Sequence, residues 1–178
     1  MIYLSVGTNI GDRLQNLMNA YLLCEQKGLT IVEVSSVYET EPWGFQASMH
    51  FYNMVWGCHF DGNPDELLTL TQQIEHEIGR KSKTSEVYES RIIDLDILFI
   101  DKKVINNVNL CVPHKKMEER KFVLLPLNEL NPLFIHPLSG LTVKELIQKC
   151  KDESEINLAV TNIDFVKKIR SVGGQTKK

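Results

Sequence analysis

Arg91-Ile92-Ile93-Asp94-Leu95-Asp96-Ile97-Leu98-Phe99 sets two aspartates two residues apart inside an otherwise apolar run. Side chains alternate faces along a strand, so Asp94 and Asp96 point the same way and Ile93, Leu95, Ile97 and Phe99 point the other. The second set makes an unbroken apolar face for a core. The first puts two carboxylates about 6.7 Å apart along the strand. Like charges that close call for protonation of one or a cation between them. Acidic residues on the open face of a half-exposed strand also serve plain solubility. Here, however, Ile92, Leu98 and Ile100 fall on the aspartate face, so it reads as a pocket floor with acid in its middle. Carboxylates spaced this way suit one or two Mg²⁺ ions of a phosphoryl-transfer site, and Arg91 offers positive charge for phosphate.

Upstream, residues 2–6 read as a strand and Gly7-Thr8-Asn9-Ile10-Gly11 as a structural turn. That turn lacks the Lys and Ser/Thr of a phosphate-cradling P-loop. Asp12 caps a helix carrying Leu14, Leu17, Met18, Tyr21 and Cys24, which ends at Gly28. Residues 30–38 are rich in β-branched side chains and read as one strand, and 51–60 as another. Asn63 caps a second helix with Pro64 in its first turn, an apolar stripe of Leu67, Leu70, Ile74 and Ile78, and a stop at Gly79. The Asp94 strand, over 92–100, follows a polar loop. The order is β-α-β-β-α-β, the ferredoxin-like α+β arrangement: a four-stranded antiparallel sheet with both helices on one face. The other face stays free for a site. C-terminal additions follow: a hairpin or extra strand over 101–113, a helical turn at 114–117, a strand end or short helix over 122–130, and a helix over 141–150. Residues 1–150 are expected to form the domain. Residues 151–178 are an extension, with Ile163, Val166 and Ile169 at helical spacing and a disordered tail from Gly173.

A chain of 178 residues suits one core, and 43% apolar with 24% charged residues is ordinary for a globular protein. No apolar run is long enough to span a membrane, and the first residues do not form a signal peptide. The four cysteines are scattered, without Cys-x-x-Cys spacing, and read as free thiols of a reducing cytoplasm. A net charge of −3 offers no footprint for nucleic acid.

Several separated segments resemble the 6-hydroxymethyl-7,8-dihydropterin pyrophosphokinase family. They are Leu4 to Gly11, Tyr38 to Gly44, Phe51-Tyr52-Asn53, Gln72 to Arg80, Arg91 to Leu98, and Val112-Pro113-His114 with Met117, Arg120 and Phe122. The resemblance implies transfer of pyrophosphate from ATP to the pterin hydroxymethyl group, with release of AMP, in folate biosynthesis. It implies two Mg²⁺ on Asp94 and Asp96, and arginines at 80 and 91 serving the phosphates. Thr40, Pro42, Trp43, Phe51, Asn53 and Phe122 match pterin-side positions, and Gln72, Glu75, Tyr88, Ile97, His114 and Arg120 match ATP-side positions. It also implies a cytoplasmic monomer whose partners are these two small molecules, not nucleic acid or membrane. The alternative is a non-catalytic nucleotide- or pterin-binding module of the same fold. The chain departs from the family pattern at Val87-Tyr88-Glu89-Ser90, where a basic residue, Trp, Gly and Pro are usual, with Tyr88 at the place of the Trp. Lys115 stands for a usual Tyr, and Ser82 lies between Lys81 and Lys83 where a basic residue is common.

Overall fold

The computed structural model describes residues 1–44, 47–80 and 89–173. Strand β1 (Ile2–Thr8) leads to helix α1 (Arg13–Gln26), whose first turn is capped by the Asp12 side chain accepting from the Gln15 amide. Strands β2 (Thr30–Val34), β3 (Val37–Thr40) and β4 (Phe51–His59) follow, then α2 (Pro64–Ile78). Asn63 and Glu66 form a reciprocal capping box at the start of α2, and Gly79 closes its end in the left-handed conformation. Strand β5 (Asp94–Ile100) completes the expected βαββαβ order. The sheet runs β5-β1-β4-β3, all antiparallel, with β2 also pairing β4.

The single strand expected over 30–38 is two. The chain breaks at Ser35-Ser36, where the Ser35 hydroxyl accepts the Val55 amide in place of a ladder bond. Residues 101–113 form a small hairpin, β6 (Ile105–Asn106) with β7 (Cys111–Val112). A 3-10 turn at Met117–Glu119 precedes α3 (Lys121–Leu130) and α4 (Val143–Lys149). Strand β8 (Ile156–Val160), absent from the sequence reading, adds to the sheet edge beside β3, and α5 (Asn162–Gly173) returns to α1. The buried face of α5 is Phe165 and Ile169; Ile163, expected on that face, is 63% exposed. Positions 174–178, most of the expected disordered tail, lie outside the described residues.

Both sheet faces are covered, unequally. On one, Leu17, Met18, Leu67 and Ile74 from α1 and α2 pack against Leu4, Val6, Ile93, Leu95 and Ile97. On the other, Val123, Leu124, Leu127, Val143 and Leu146 from α3 and α4 pack against Tyr3, Val55, Leu98 and Phe99. A β-bulge explains the placement of Phe99: Leu4 pairs Ile97 while Tyr3 pairs Phe99, so Leu98 has no partner. The extra residue flips the alternation. Phe99, expected toward α1 and α2, packs against Phe134 on the other face, with ring centroids 4.5 Å apart and planes tilted by 49°. Ile100, expected on the aspartate face, joins the opposite core, as does the partly buried Ile92. Thus α3 and α4 close one half of the second face, and the half carrying Asp94 and Asp96 stays open as a cleft. No described helix is long and apolar enough to cross a membrane, and all four cysteines are free thiols.

Candidate functional site

The floor of the cleft is a strip of sheet. In one row across it, Asp94 on β5 faces Gly7 on β1, and Gly7 faces Asn53 on β4; in the next, Asp96 faces Ser5. Because Phe51 and Asn53 are two apart on β4, they share the aspartates' face. Thr40 of β3 lies opposite Phe51. The loops after β3 and β7 and the start of α3 form the walls, with Trp43, Glu41, His114, Lys115, Lys116, Arg120 and Phe122. The cleft holds about 310 Å³.

Its two ends differ in chemistry. At one, Phe51, Phe122 and Trp43 supply apolar ring faces, and the Asn53 amide is buried and pinned by donating to the Thr40 hydroxyl at 2.7 Å. Arg120 lies over the Trp43 ring at 5.0 Å and the Phe122 ring at 5.7 Å. A flat heteroaromatic ligand needs such stacking faces and a few fixed polar groups. At the other end, Arg80 and Arg91 both pair with Asp94, and Arg80 also pairs with Glu75 of α2. The Glu75 carboxylate in turn accepts the Leu95 amide at 2.7 Å, which ties α2 to β5. His114 Nε2 and Arg120 Nη1 approach Asp96 at 3.9 and 3.8 Å.

Crowded acids shift one another. Burial and then the charge of Asp94 push Asp96 up to about 6, and the same two causes push Glu75 up to about 7. Burial, and next the Arg120 charge, hold His114 down at about 4, so its ring is neutral near pH 7. The Lys116 amide donates to Nδ1 of that ring at 3.3 Å, which leaves the proton on Nε2, the nitrogen nearer Asp96. A site whose carboxylates resist ionisation invites a cation. The donor set fits Mg²⁺, which is commonly held by one or two carboxylates together with substrate phosphate oxygens. Among the described residues no cluster of three or more His, Cys, Asp or Glu forms a closed metal cage. An ion here would therefore complete its shell with phosphate or water.

Of the residues singled out from sequence, Arg91, Asp94, Asp96, Thr40, Trp43, Phe51, Asn53, His114, Arg120 and Phe122 line this one cleft. Arg80 and Glu75 stand behind it through Asp94. Pro42 lies in the wall loop without lining the cleft, and Gln72 is exposed on α2. The expectation that Ile97 faces the nucleotide is corrected: its side chain is 5% exposed within the α1–α2 core. Tyr88 and the lysines at 81 and 83 lie outside the described residues. Several contributors were missed, Glu41 and Lys116 of the walls among them. Gly7 belongs to β1, not to a turn, and with Ser5 it lines the floor. Asn9, 2% exposed, joins the site's borders. Its side chain donates to Ser90 Oγ at 3.0 Å and Met49 O at 3.4 Å and accepts the Arg91 amide at 2.8 Å. In the sequence Asn9 stands only as a turn residue within the family-like segment Leu4 to Gly11, and nothing there marks its burial.

Residues 3–132 match the model of the 7,8-dihydro-6-hydroxymethylpterin-pyrophosphokinase (HPPK) family. The 2-amino-4-hydroxy-6-hydroxymethyldihydropteridine pyrophosphokinase of Bacillus subtilis is 46% identical over 130 residues, covering 72% of this chain and 76% of that protein. The folic acid synthesis protein fol1 of Pneumocystis carinii is 35% identical over 151 residues, 85% of this chain. The chain spans only 20% of the length of that protein. A solved wild-type HPPK-DHPS from Plasmodium falciparum superposes with a TM-score of 0.66 at 17% identity, over 83% of this chain and 44% of the other, which shows a shared fold. The chain belongs to the 7,8-dihydro-6-hydroxymethylpterin-pyrophosphokinase family.

Proposed function

We propose that this protein is an ATP-dependent diphosphotransferase that moves the β,γ-pyrophosphoryl group of ATP to 6-hydroxymethyl-7,8-dihydropterin, releasing AMP, in folate biosynthesis. Besides family membership, one observation carries the reading. A single cleft joins an aromatic and amide end, suited to a pterin, to a carboxylate and arginine end, suited to polyphosphate. The pterin lies between Phe51, Phe122 and Trp43, with Thr40 and Pro42 beside it and its polar edge on the Asn53 amide. ATP occupies the side of Glu75, Gln72, His114 and Arg120. Lys115 and Lys116, at the same mouth, add positive charge for a polyanion.

Asp94 and Asp96 would hold two Mg²⁺ in this reading, and the metal would supply charge neutralisation for the phosphates of ATP. Arg80 and Arg91 exchange their carboxylate contacts on Asp94 for phosphate oxygens, which their planar donors fit bidentately. The pterin hydroxyl oxygen attacks the β-phosphorus in line, the bond from that phosphorus to the α-phosphate oxygen breaks, and AMP leaves. The hydroxyl proton passes to solvent or to AMP. His114, neutral at working pH, donates from Nε2 and carries no charge of its own to the site. No side chain serves as a covalent nucleophile. The walls formed by 41–44, 47–50 and 89–91, clasped by Asn9 through Met49, Ser90 and Arg91, exclude water that would otherwise hydrolyse ATP. We read the protein as a cytoplasmic monomer.

The test is AMP release from ATP with pterin and Mg²⁺ each omitted in turn, and with EDTA. The expected result is AMP only when both are present. Pterin binding without AMP under any condition would replace the reading with a non-catalytic binding module.

A further inference from the structure

Helix α3 opens without a cap of its own. Its N-cap residue is Arg120, whose side chain makes no capping bond, and its first turn holds no acidic residue. Arg120 and Lys121 instead put two positive charges where the helix dipole is already positive. Yet this is the part of α3 that the cleft uses, because Arg120 and Phe122 both line it. The missing cap comes from the C-terminal extension: Asp152 Oδ2 accepts the Lys121 amide at 3.0 Å. The other oxygen, Oδ1, accepts the Ser154 amide at 3.0 Å and the Ser154 hydroxyl, so the carboxylate is held from behind. The Lys121 ammonium closes the arrangement by donating to Ser154 O at 3.3 Å. The same segment runs along the rest of the acceptor wall. Ile156 of β8 pairs with Thr40 of β3. Cys150 and Asp152 line a hollow of about 470 Å³, and Trp43 borders both this hollow and the cleft. Thr40, Trp43 and the turn that carries Phe122 are thus all bordered by residues 150–156.

We propose that Asp152 is a positioning residue for the acceptor: it caps α3 from the C-terminal extension and so fixes the turn that presents Phe122 to the pterin. The inference rests on the pyrophosphokinase reading and deepens it. A phenyl ring has no polar atom to anchor it, so its place follows from the backbone it stands on and the side chains around it. Arg120 has a second hold in Asp96, 3.8 Å away, so the loss of Asp152 falls mainly on Phe122. When the first turn of α3 frays, only the fraction of molecules with Phe122 in place binds the ring, and the affinity falls by that fraction. Asp152 lies beyond residues 3–132, so this support comes from outside the stretch that matches the family model.

The experiment is calorimetry on the full chain and its Asp152 variants, with a non-hydrolysable ATP analogue and Mg²⁺ first and then with pterin on top of them. Asp152 is half-buried and belongs to neither hydrophobic cluster, so Asp152→Ala is expected to fold. It should weaken pterin on the order of fivefold, the usual worth of a helix cap, and the ATP analogue by less than about twofold. Asp152→Asn keeps an oxygen for the Lys121 amide and should bring pterin binding back to within about twofold of wild type. A cap that serves stability alone would lower the unfolding midpoint of Asp152→Ala and leave the pterin affinity of the folded protein unchanged, which overturns the proposal. Equal loss of both ligands, or no rescue by Asn, overturns it too. Hydrogen exchange on the wild type adds a readout that needs no variant. The amide of a first helical residue has no partner within its helix, so slow exchange at Lys121 supports the cap and fast exchange overturns it. Failure of the parent reading looks different. A wild type that binds pterin but makes no AMP sinks transfer alone, and the affinities still decide the role of Asp152. A wild type that makes AMP while Asp152→Ala binds pterin normally sinks the Asp152 assignment alone. A wild type that binds no pterin sinks both.

Discussion

Arg80 is shared by two carboxylates, and its loss has a calculable signature. In Arg80→Ala, Glu75 loses its cation and Asp94 keeps only Arg91. Breaking a buried pair by removing one partner costs roughly 3–5 kcal/mol. The three side chains retain 14, 12 and 18% exposure, so residual solvation lowers the expected loss to about 2–3 kcal/mol at pH 8. The loss depends on pH with a definite sign. Glu75 titrates at about 7 in the folded protein against an ordinary 4.5, so it binds a proton more readily folded than unfolded. Its contribution to stability is full below about 4.5 and fades as pH rises through about 7. Removing Arg80 takes away an interaction that lowers this pKa, so the folded carboxylate holds its proton to still higher pH. The penalty is thus small where Glu75 is protonated in both proteins and largest where the wild type is ionised. The expected ΔΔG is about 1 kcal/mol at pH 5, left mainly by Asp94, rising to the full value by pH 8. Urea denaturation of both proteins at pH 5, 6, 7 and 8 without added metal measures it. A flat difference across that range, or one that shrinks toward pH 8, would refute the charge-sharing account of Glu75, Arg80 and Asp94.

Asp96→Ala should leave the far-ultraviolet spectrum and urea midpoint near wild type but lower turnover by about 10²–10³-fold or more; a near-normal rate would remove Asp96 from the proposed metal site. Asn53→Ala should weaken pterin by about tenfold, with a much smaller effect on the ATP analogue, and equal losses in calorimetry would argue against that end of the cleft as the pterin side. Phe165→Ala should cost roughly 3–5 kcal/mol, because Phe165 is fully buried with its ring 6.3 Å from that of Tyr21; a loss under about 1 kcal/mol would make β8 and α5 an appendage rather than part of the core.

The fold was legible because its elements announce themselves locally. Asn63-Pro64 opens α2 and Gly79 ends it through capping chemistry confined to a few residues. The alternation of Asp94, Leu95 and Asp96 needed only the period of a strand. What escaped reading depends on partners. The bulge at Leu98 arises in the pairing of β5 with β1, so nothing within residues 92–100 marks the flip that sends Phe99 to the cleft-side core. The break at Ser35-Ser36 is held by Val55, twenty residues on. Strand β8 is five residues long with three of them exposed, and its order comes from β3, more than a hundred residues earlier. In the site, residues with distinctive chemistry were found and those acting by absence or by clasping were not. Gly7, with Gly11 four residues on, read as part of a turn, and Asn9 looked like turn chemistry until Ser90, Met49 and Arg91 came round it.

The central claim is that a pyrophosphoryl group moves as a unit. Phosphorus NMR and mass measurement of the products of ATP, pterin and Mg²⁺ with the wild-type protein test it most directly. The account predicts AMP and a pterin bearing two phosphates in equal amounts. ADP with a pterin monophosphate, or AMP and free pyrophosphate with unmodified pterin, would contradict it.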